Sequence, residues 1–341
     1  MAADWSQVAT VISFRQHRKA FALPQKIIID ADPGLCDALA ILTAFVDPSL
    51  EVIGLTATAG TVSGLQATRN LQYLTDLIDP IKHPRIGQSN HPRTAGQAGD
   101  LEVPTRHSTP GRSGLGDLTV EVPDLHNRRE SEKLIVDLVR EHPHEVRLLC
   151  LGPLTNVAAA CDLDPEIPEL LGGIVCQGGA DRASGDMTAV AEFNVWSDPE
   201  AARAVLDWPT SKVLVPLDVT ASPVVTFEDV EQLADLTLDC LNSEALSSLM
   251  QFALRMNRQQ LGCEGIPLHG VAALAVAAGA EAFSVEAVCA AVEVAGDLTR
   301  GMTVIDRRAV PGRQTNADLV TTIDQHGVID YFSRSYRRAA R

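Results

Sequence analysis

Short β-branched runs alternate with helical patterns along most of the chain. A parallel sheet with helices on both faces is the architecture that such alternation predicts. In open sheets of this kind, ligands bind beyond the carboxyl ends of the strands. Polar side chains follow several of these runs. The strand-like runs and their helical followers include "KIIID" with "CDALAILTAFV", "LEVIGLTATAG" with "LQATRNLQYLTDLI", and "EVRLLCLG" with "LTNVAAACDL".

Two segments interrupt this alternation. Residues 88–127 are rich in Gly, Pro, Ser, His and Arg and lack periodicity, which predicts a long irregular connection. Residues 227–261 favour one or two helices outside the alternation, and "SEKLIVDLVREH" predicts a further helix from residue 131. We expect an N-terminal arm over residues 1–25 and a single domain over residues 26–341. The basic cluster of the arm follows its short apolar run, an order that argues against a secretion signal.

Charge and cysteine content exclude several classes of protein. The net charge is −16 and the isoelectric point about 4.9, so neither a nucleic acid nor an anionic membrane is expected as a partner. No apolar run reaches the roughly 18–20 residues of a membrane span. The seven cysteines form no CxxC pair, which argues against a zinc knuckle or a disulfide framework. A reducing, cytoplasmic location is the simplest interpretation.

Three carboxylates are crowded around one turn in "IIIDADPGLCDALAILTAF". Asp30 and Asp32 share a face in an extended strand, and Asp37 falls in the first turn of the next helix. This arrangement could gather oxygens on a Ca²⁺ ion, or the carboxylates could be solvated with Asp37 facing the helix dipole. An aspartate-nucleophile phosphatase is disfavoured, because Pro33 and Gly34 follow the second aspartate.

The rest of the chain resembles the inosine–uridine-preferring nucleoside hydrolases. The resemblance runs from Lys26 onward and is carried by "DADPGLCDALAI", "GPLTNVA", "AEFNVWSDPEAA", "PLDVT" and "DLTRGMTVID". It implies an open α/β sheet, bound Ca²⁺, and hydrolysis of the N-glycosidic bond of a nucleoside, with a carboxylate as general base. It also implies a homodimer or homotetramer, which is common in the family.

Carried over residue by residue, the resemblance assigns Asp32 as both a metal ligand and the general base. It assigns Asp37 and the Thr155 carbonyl as further metal ligands. It places His269 beside the departing base. Glu192 and Asn194 would bind the sugar hydroxyls. Each assignment has a structural alternative. Glu192 and Asn194 could make internal hydrogen bonds, Thr155 could begin a helix, and His269 could be a core histidine.

The sequence departs from the family pattern at the expected site. Cys36 and Gly270 stand where the family has aspartates, which is expected to weaken or remove the Ca²⁺ site and to lower activity. Asp186 restores one negative charge on the sugar side. Other departures in the same region are Thr61, Gln177 and Pro110.

Three functions therefore remain open from sequence alone. The chain is a hydrolase with altered specificity, in which Asp186, Gln177 or Asp30 rebuilds the pocket. Alternatively, it binds a nucleoside-like ligand or acts structurally without catalysis. In a third interpretation, Cys36 is a thiol of lowered pKa at a helix N-terminus and supports other chemistry. The first is favoured, because the other assigned site residues are all retained.

Overall fold

A computed structural model describes residues 23–89, 110–125, 129–237, 243–280, 283–308 and 314–339. Most of the predicted arm (residues 1–22) and much of the irregular connection (residues 90–109) lie outside this part of the chain. Within it, residues 110–125 contain no helix or extended strand, in agreement with the prediction.

The strands are β1 (Gln25–Ala31), β2 (Leu50–Ala57), β3 (Arg85–Gln88), β4 (Arg129–Glu130), β5 (Arg147–Cys150), β6 (Gly173–Gln177), β7 (Lys212–Val215), β8 (Val224–Val225), β9 (Ile266–Pro267), β10 (Phe283–Val292), β11 (Thr303–Asp306) and β12 (Ala317–Ile323). The helices are α1 (Leu35–Val46), α2 (Gly64–Ile78), α3 (Ser131–Glu141), α4 (Thr155–Leu163), α5 (Ile167–Leu170), α6 (Phe193–Ser197), α7 (Pro199–Asp207), α8 (Leu217–Thr220), α9 (Phe227–Thr237), α10 (Ser243–Met256), α11 (His269–Ala278) and α12 (Gln325–Ala339). A π-helical turn, Asn257–Leu261, extends α10.

One large sheet organises the molecule, in the order β11-β10-β12-β7-β6-β5-β1-β2-β3-β4. Every neighbouring pair from β12 to β4 is parallel, and β10 runs antiparallel to both of its neighbours. The predicted α/β sheet is therefore confirmed, as are α3 and the helices between residues 227 and 261. Strand order reverses at β1, which lies between β2 and β5, and ligands bind at such a reversal.

The pleat of β1 explains why its isoleucines are all buried. Ile27 and Ile29 belong to the core between the sheet and α1, α2, α11 and α12, whereas Ile28 belongs to the core under α3, α4 and α7. Because successive side chains point to opposite faces, an unbroken apolar run is required wherever helices cover both. Among the described residues, no helix is both long and apolar enough to cross a membrane.

Candidate active site

A cavity of about 150 Å³ opens at the carboxyl edge of the sheet, beside the end of β1. Its polar side carries Asp32, Asp37, Gln177, Asp186, Glu192 and Asn194. Its apolar lining includes Leu35, Leu217, Met256, Ile266 and Pro267. The cavity therefore offers polar groups to a polyhydroxylated ligand and apolar surface to a flat, less polar ring.

Asp32 is held rigidly at the end of β1. Its Oδ2 accepts the backbone N–H of Thr61, and the side chain is almost wholly buried. Glycines flank both oxygens: a Cβ at Gly60 would overlap Oδ2, and one at Gly152 would lie 2.6 Å from Oδ1. Both positions thus require glycine because the carboxylate approaches the backbone closely. Thr61 also lines the cavity.

Asp30 does not join Asp32 in the cavity, contrary to the expectation that their side chains share a face. The strand ends at Ala31, so the alternation does not extend to Asp32. Asp30 Oδ1 instead accepts hydrogen bonds from Thr56 Oγ1 at 2.6 Å and from Asn156 Nδ2 at 2.8 Å, inside the protein. Burial raises its pKa to about 7. Asp30 is therefore not available to rebuild the pocket.

Asp37 lies in the first turn of α1 and faces the same cavity as Asp32. Burial, and then the charge of Asp32, raise the pKa of Asp37 well above its ordinary value. Two neighbouring buried carboxylates destabilise each other's ionised forms. A divalent cation between them would remove this penalty, so the pair fits such an ion.

Cys36 lines the cavity as a neutral thiol. Its Sγ donates to the Pro267 carbonyl at 3.6 Å, and burial raises its pKa to about 12. The interpretation that a helix N-terminus lowers the pKa of this thiol is therefore wrong, because burial and then the charge of Asp37 disfavour the thiolate. The group donates one weak hydrogen bond and cannot replace a carboxylate as a charged acceptor.

Gly270 marks a close approach of two helices. A Cβ at this position would lie 3.0 Å from Ala40 Cβ and 3.1 Å from the Cys36 carbonyl oxygen. Helix α11 therefore packs against α1 with little room for a side chain. An aspartate introduced at residue 270 would have to push the helices apart, so it would destabilise the fold as well as add charge.

Glu192 and Asp186 form an acid pair in the cavity lining. Glu192 caps α6, and its Oε2 accepts the N–H groups of Gly179 at 2.9 Å and Val195 at 3.1 Å. Asp186 Oδ1 accepts the N–H of Phe193 at 2.9 Å. Burial, followed by the charge of Asp186, raises the pKa of Glu192 to about 8. Glu192 therefore keeps its proton to a higher pH than an ordinary glutamate, and in the protonated form it can donate a hydrogen bond as well as accept one.

The raised pKa of Glu192 predicts a pH-dependent stability. A carboxyl that binds its proton more tightly when folded stabilises the fold at low pH, and this contribution is lost as pH rises through about 8. In chelator-treated protein, we expect the melting temperature to fall between pH 5 and pH 9. Glu192→Gln should flatten this slope, because it reduces the loss of unfolding free energy over the same pH range by an amount on the order of a few kcal/mol. An unchanged slope in the variant would contradict the assignment.

Asn194 and Gln177 complete the polar wall. Asn194 Nδ2 donates to the Leu151 carbonyl at 2.6 Å and to the Gln177 carbonyl at 3.1 Å, which ties the ends of β5 and β6 together. Glu192 and Asn194 therefore make internal hydrogen bonds, as the structural alternative proposed, and they line the cavity as well. The Gln177 Oε1 atom is buried and has no hydrogen-bond partner within the described residues.

His269 lies at the first position of α11 and lines the cavity wall. Its Nδ1 is 3.0 Å from Thr220 Oγ1, at the end of α8. It is partly exposed, so it is not a core histidine. Pro110, at the start of the described part of the irregular connection, lines the cavity as well.

Thr155 lies outside the cavity, so the structure does not bring it to the other predicted ligands. Its Oγ1 donates to Asp198 at 2.6 Å at the start of α4. Leu151, directly after β5, lines the cavity instead, and its carbonyl accepts the Asn194 Nδ2 hydrogen bond. Sequence reasoning missed Leu151 because an apolar side chain gives no sign that its carbonyl is useful. Its position at a strand end was the available signal.

Comparison with known proteins agrees with this geometry. The sequence profile of the inosine-uridine preferring nucleoside hydrolases matches residues 27–330. The pyrimidine-specific ribonucleoside hydrolase RihA of Salmonella arizonae is 31% identical over 311 residues, covering 91% of this chain and 96% of the relative.

Solved structures are also similar. A plant nucleoside hydrolase superposes with a TM-score of 0.81 at 26% identity, covering 92% of this chain and 99% of the other. A purine-preferring ribonucleoside hydrolase from Gardnerella vaginalis gives the same TM-score and coverage at 27% identity. The chain belongs to the inosine-uridine preferring nucleoside hydrolase family.

Proposed function

We propose that this protein hydrolyses the N-glycosidic bond of a ribonucleoside or a related N-riboside. The observation that carries the proposal is the convergence of buried Asp32 and Asp37 on one cavity at the strand-order reversal. Membership of a family of nucleoside hydrolases supports it. The relatives differ in the base they are named for, pyrimidine or purine, so the proposal extends to ribonucleosides as a class.

The residues suggest how the reaction would proceed. The sugar would bind against Glu192, Asp186 and Asn194, and the base would lie on the apolar wall. Water adds to the anomeric carbon as the carbon–nitrogen bond breaks, and Asp32 takes a proton from that water. The departing base nitrogen takes a proton from solvent, and Asp32 later returns its own proton to solvent, so that the hydroxyl of water ends on the sugar and its hydrogen on the base. His269 lies in the wall where the base would leave. The products are the free base and the sugar.

A calcium ion is part of the proposal. Asp32 and Asp37 would hold it together with the carbonyl of Leu151, and Ca²⁺ when bound would lower the pKa of the attacking water and hold sugar hydroxyls. No three His, Cys, Asp or Glu side chains form a metal cluster within the described ranges. Water and substrate oxygens would therefore supply the other ligands, and we expect weaker binding than a site with three carboxylates gives.

A second candidate function is ligand binding without hydrolysis. The neutral thiol of Cys36 and the missing side chain at Gly270 favour it, because both positions lack a charged acceptor. For either function we propose a cytoplasmic homodimer or homotetramer.

One screen separates the two candidates. The protein should be incubated with Ca²⁺ and uridine, cytidine, inosine, adenosine or guanosine, while free base and reducing sugar are both measured. We expect equimolar release from at least one nucleoside. An identically purified Asp32→Asn preparation controls for host hydrolases. A folded protein that binds nucleoside but releases no base would overturn hydrolysis in favour of the binding function.

A further inference from the structure

We propose that Asp218 is a positioning residue that holds the loop bearing Asp186 in place on the sugar side of the cavity; this inference rests on the proposed function. Asp218 lies on α8, directly beyond the end of β7. Its Oδ2 accepts the N–H of Asp181 at 2.8 Å. Its Oδ1 accepts the N–H groups of Arg182 at 2.8 Å and Ala183 at 2.9 Å.

The loop concerned, residues 178–192, connects β6 to α6 without a helix or extended strand of its own. Three consecutive backbone N–H groups in it converge on one carboxylate, and hydrogen bonds to an ionised acceptor are stronger than neutral ones. Burial alone would raise the pKa of Asp218, but these bonds outweigh it and hold the pKa below its ordinary value. The carboxylate is therefore ionised at neutral pH, as the arrangement requires.

Two further contacts fix the first half of the same loop. The Leu217 N–H donates to the Gly179 carbonyl at 2.9 Å, and the Gly179 N–H donates in turn to Glu192. On the outer side, Arg307 forms a bidentate ion pair with the Asp181 side chain, both distances being 2.8 Å. The loop segment that precedes Asp186 is thus fixed from α8 and from the end of β11.

Helix α8 also contributes directly to the cavity lining. Leu217 lines the cavity, and Thr220 Oγ1 is in contact with His269 Nδ1. One four-residue segment therefore contacts both the loop that bears Asp186 and the His269 ring. We therefore expect a substitution that weakens the contact between α8 and the loop to displace Asp186 and Glu192 more than Asp32.

Asp218→Asn is the informative substitution. Backbone N–H groups donate to both carboxylate oxygens of Asp218, whereas the asparagine side chain has one oxygen and one NH₂ group. In either orientation of the amide, its NH₂ group therefore faces a backbone N–H and one hydrogen bond is lost. We expect a loss of about 10- to 100-fold in kcat/KM for the best ribonucleoside, with KM raised as well as kcat lowered. Asp229→Asn is the matched control, because Asp229 also accepts a backbone N–H, that of Thr226 at 2.8 Å, and does not line the cavity. It should leave kcat/KM unchanged.

A double-mutant cycle with Asp186→Asn distinguishes positioning from general destabilisation. If Asp218 acts through Asp186, its substitution should lose much less activity in the Asp186→Asn background than in the wild type. Fully additive losses would overturn the proposal. The melting temperatures of all variants provide the measure of stability.

Amide hydrogen exchange tests the anchor independently of turnover. Residues 181–186 should exchange faster in Asp218→Asn than in the wild type or in Asp229→Asn. Unchanged exchange in this loop would overturn the anchor even if the enzyme is active. Faster exchange in a protein that hydrolyses no nucleoside would support the anchor and overturn the proposed function and the catalytic consequence drawn from it.

Discussion

Asp32→Asn is expected to lower kcat/KM for nucleoside hydrolysis by about 10²- to 10⁴-fold, the usual contribution of a general base. Asparagine is nearly the same size as aspartate and can still accept the Thr61 N–H through its oxygen, so the local backbone should be retained. It cannot take a proton from water. Steady-state rates of base release, with the melting temperature measured alongside, provide the test.

The chain contains a matched control for this substitution two residues away. Asp30→Asn makes the same chemical change on the same segment, but Asp30 is bonded to Thr56 and Asn156 and does not line the cavity. We expect kcat/KM to change little. If Asp32→Asn retained wild-type turnover, Asp32 could not be the base. If both variants lost activity equally, the effect would be structural.

Asp37→Asn is expected to raise the melting temperature when Ca²⁺ is absent and to lower it, relative to the wild type, when Ca²⁺ is present. In chelator-treated protein, the variant should melt at a higher temperature, because it removes a buried carboxylate that repels Asp32. Its affinity for Ca²⁺ should fall at least about 10-fold, because one of two anionic ligands is lost. Calorimetric titration of Ca²⁺ and melting curves at increasing Ca²⁺ measure the two effects separately.

The control for charge alone is Asp330→Asn, on an exposed position of α12. It removes one negative charge from a residue that does not line the cavity, and it should leave both the Ca²⁺ affinity and the Ca²⁺-induced rise in melting temperature unchanged. Equal Ca²⁺ responses in the wild type and Asp37→Asn would exclude Asp37 as a ligand. No Ca²⁺ binding to the wild type would remove the ion from the proposed mechanism while leaving the family assignment intact.

The sequence by itself determined the architecture and the position of the cavity. Alternation of apolar runs is a local property that follows from the periods of strand and helix, so it predicted the parallel sheet with helices on both faces. Residues at strand ends converge in such a sheet whatever the loops do. Asp32, Asp37, Glu192 and Asn194 accordingly line one cavity, as strand-end positions and family motifs together indicated.

Only the tertiary structure decided the chemical state and direction of particular groups. Asp30 turns inward to Asn156, Leu151 and not Thr155 reaches the cavity, Cys36 remains a neutral thiol, and Asp218 holds a loop more than thirty residues away in the chain. Each outcome depends on desolvation or on a hydrogen-bond partner from a distant segment. Neither is encoded in local spacing, because burial and partner distance exist only once the chain has folded.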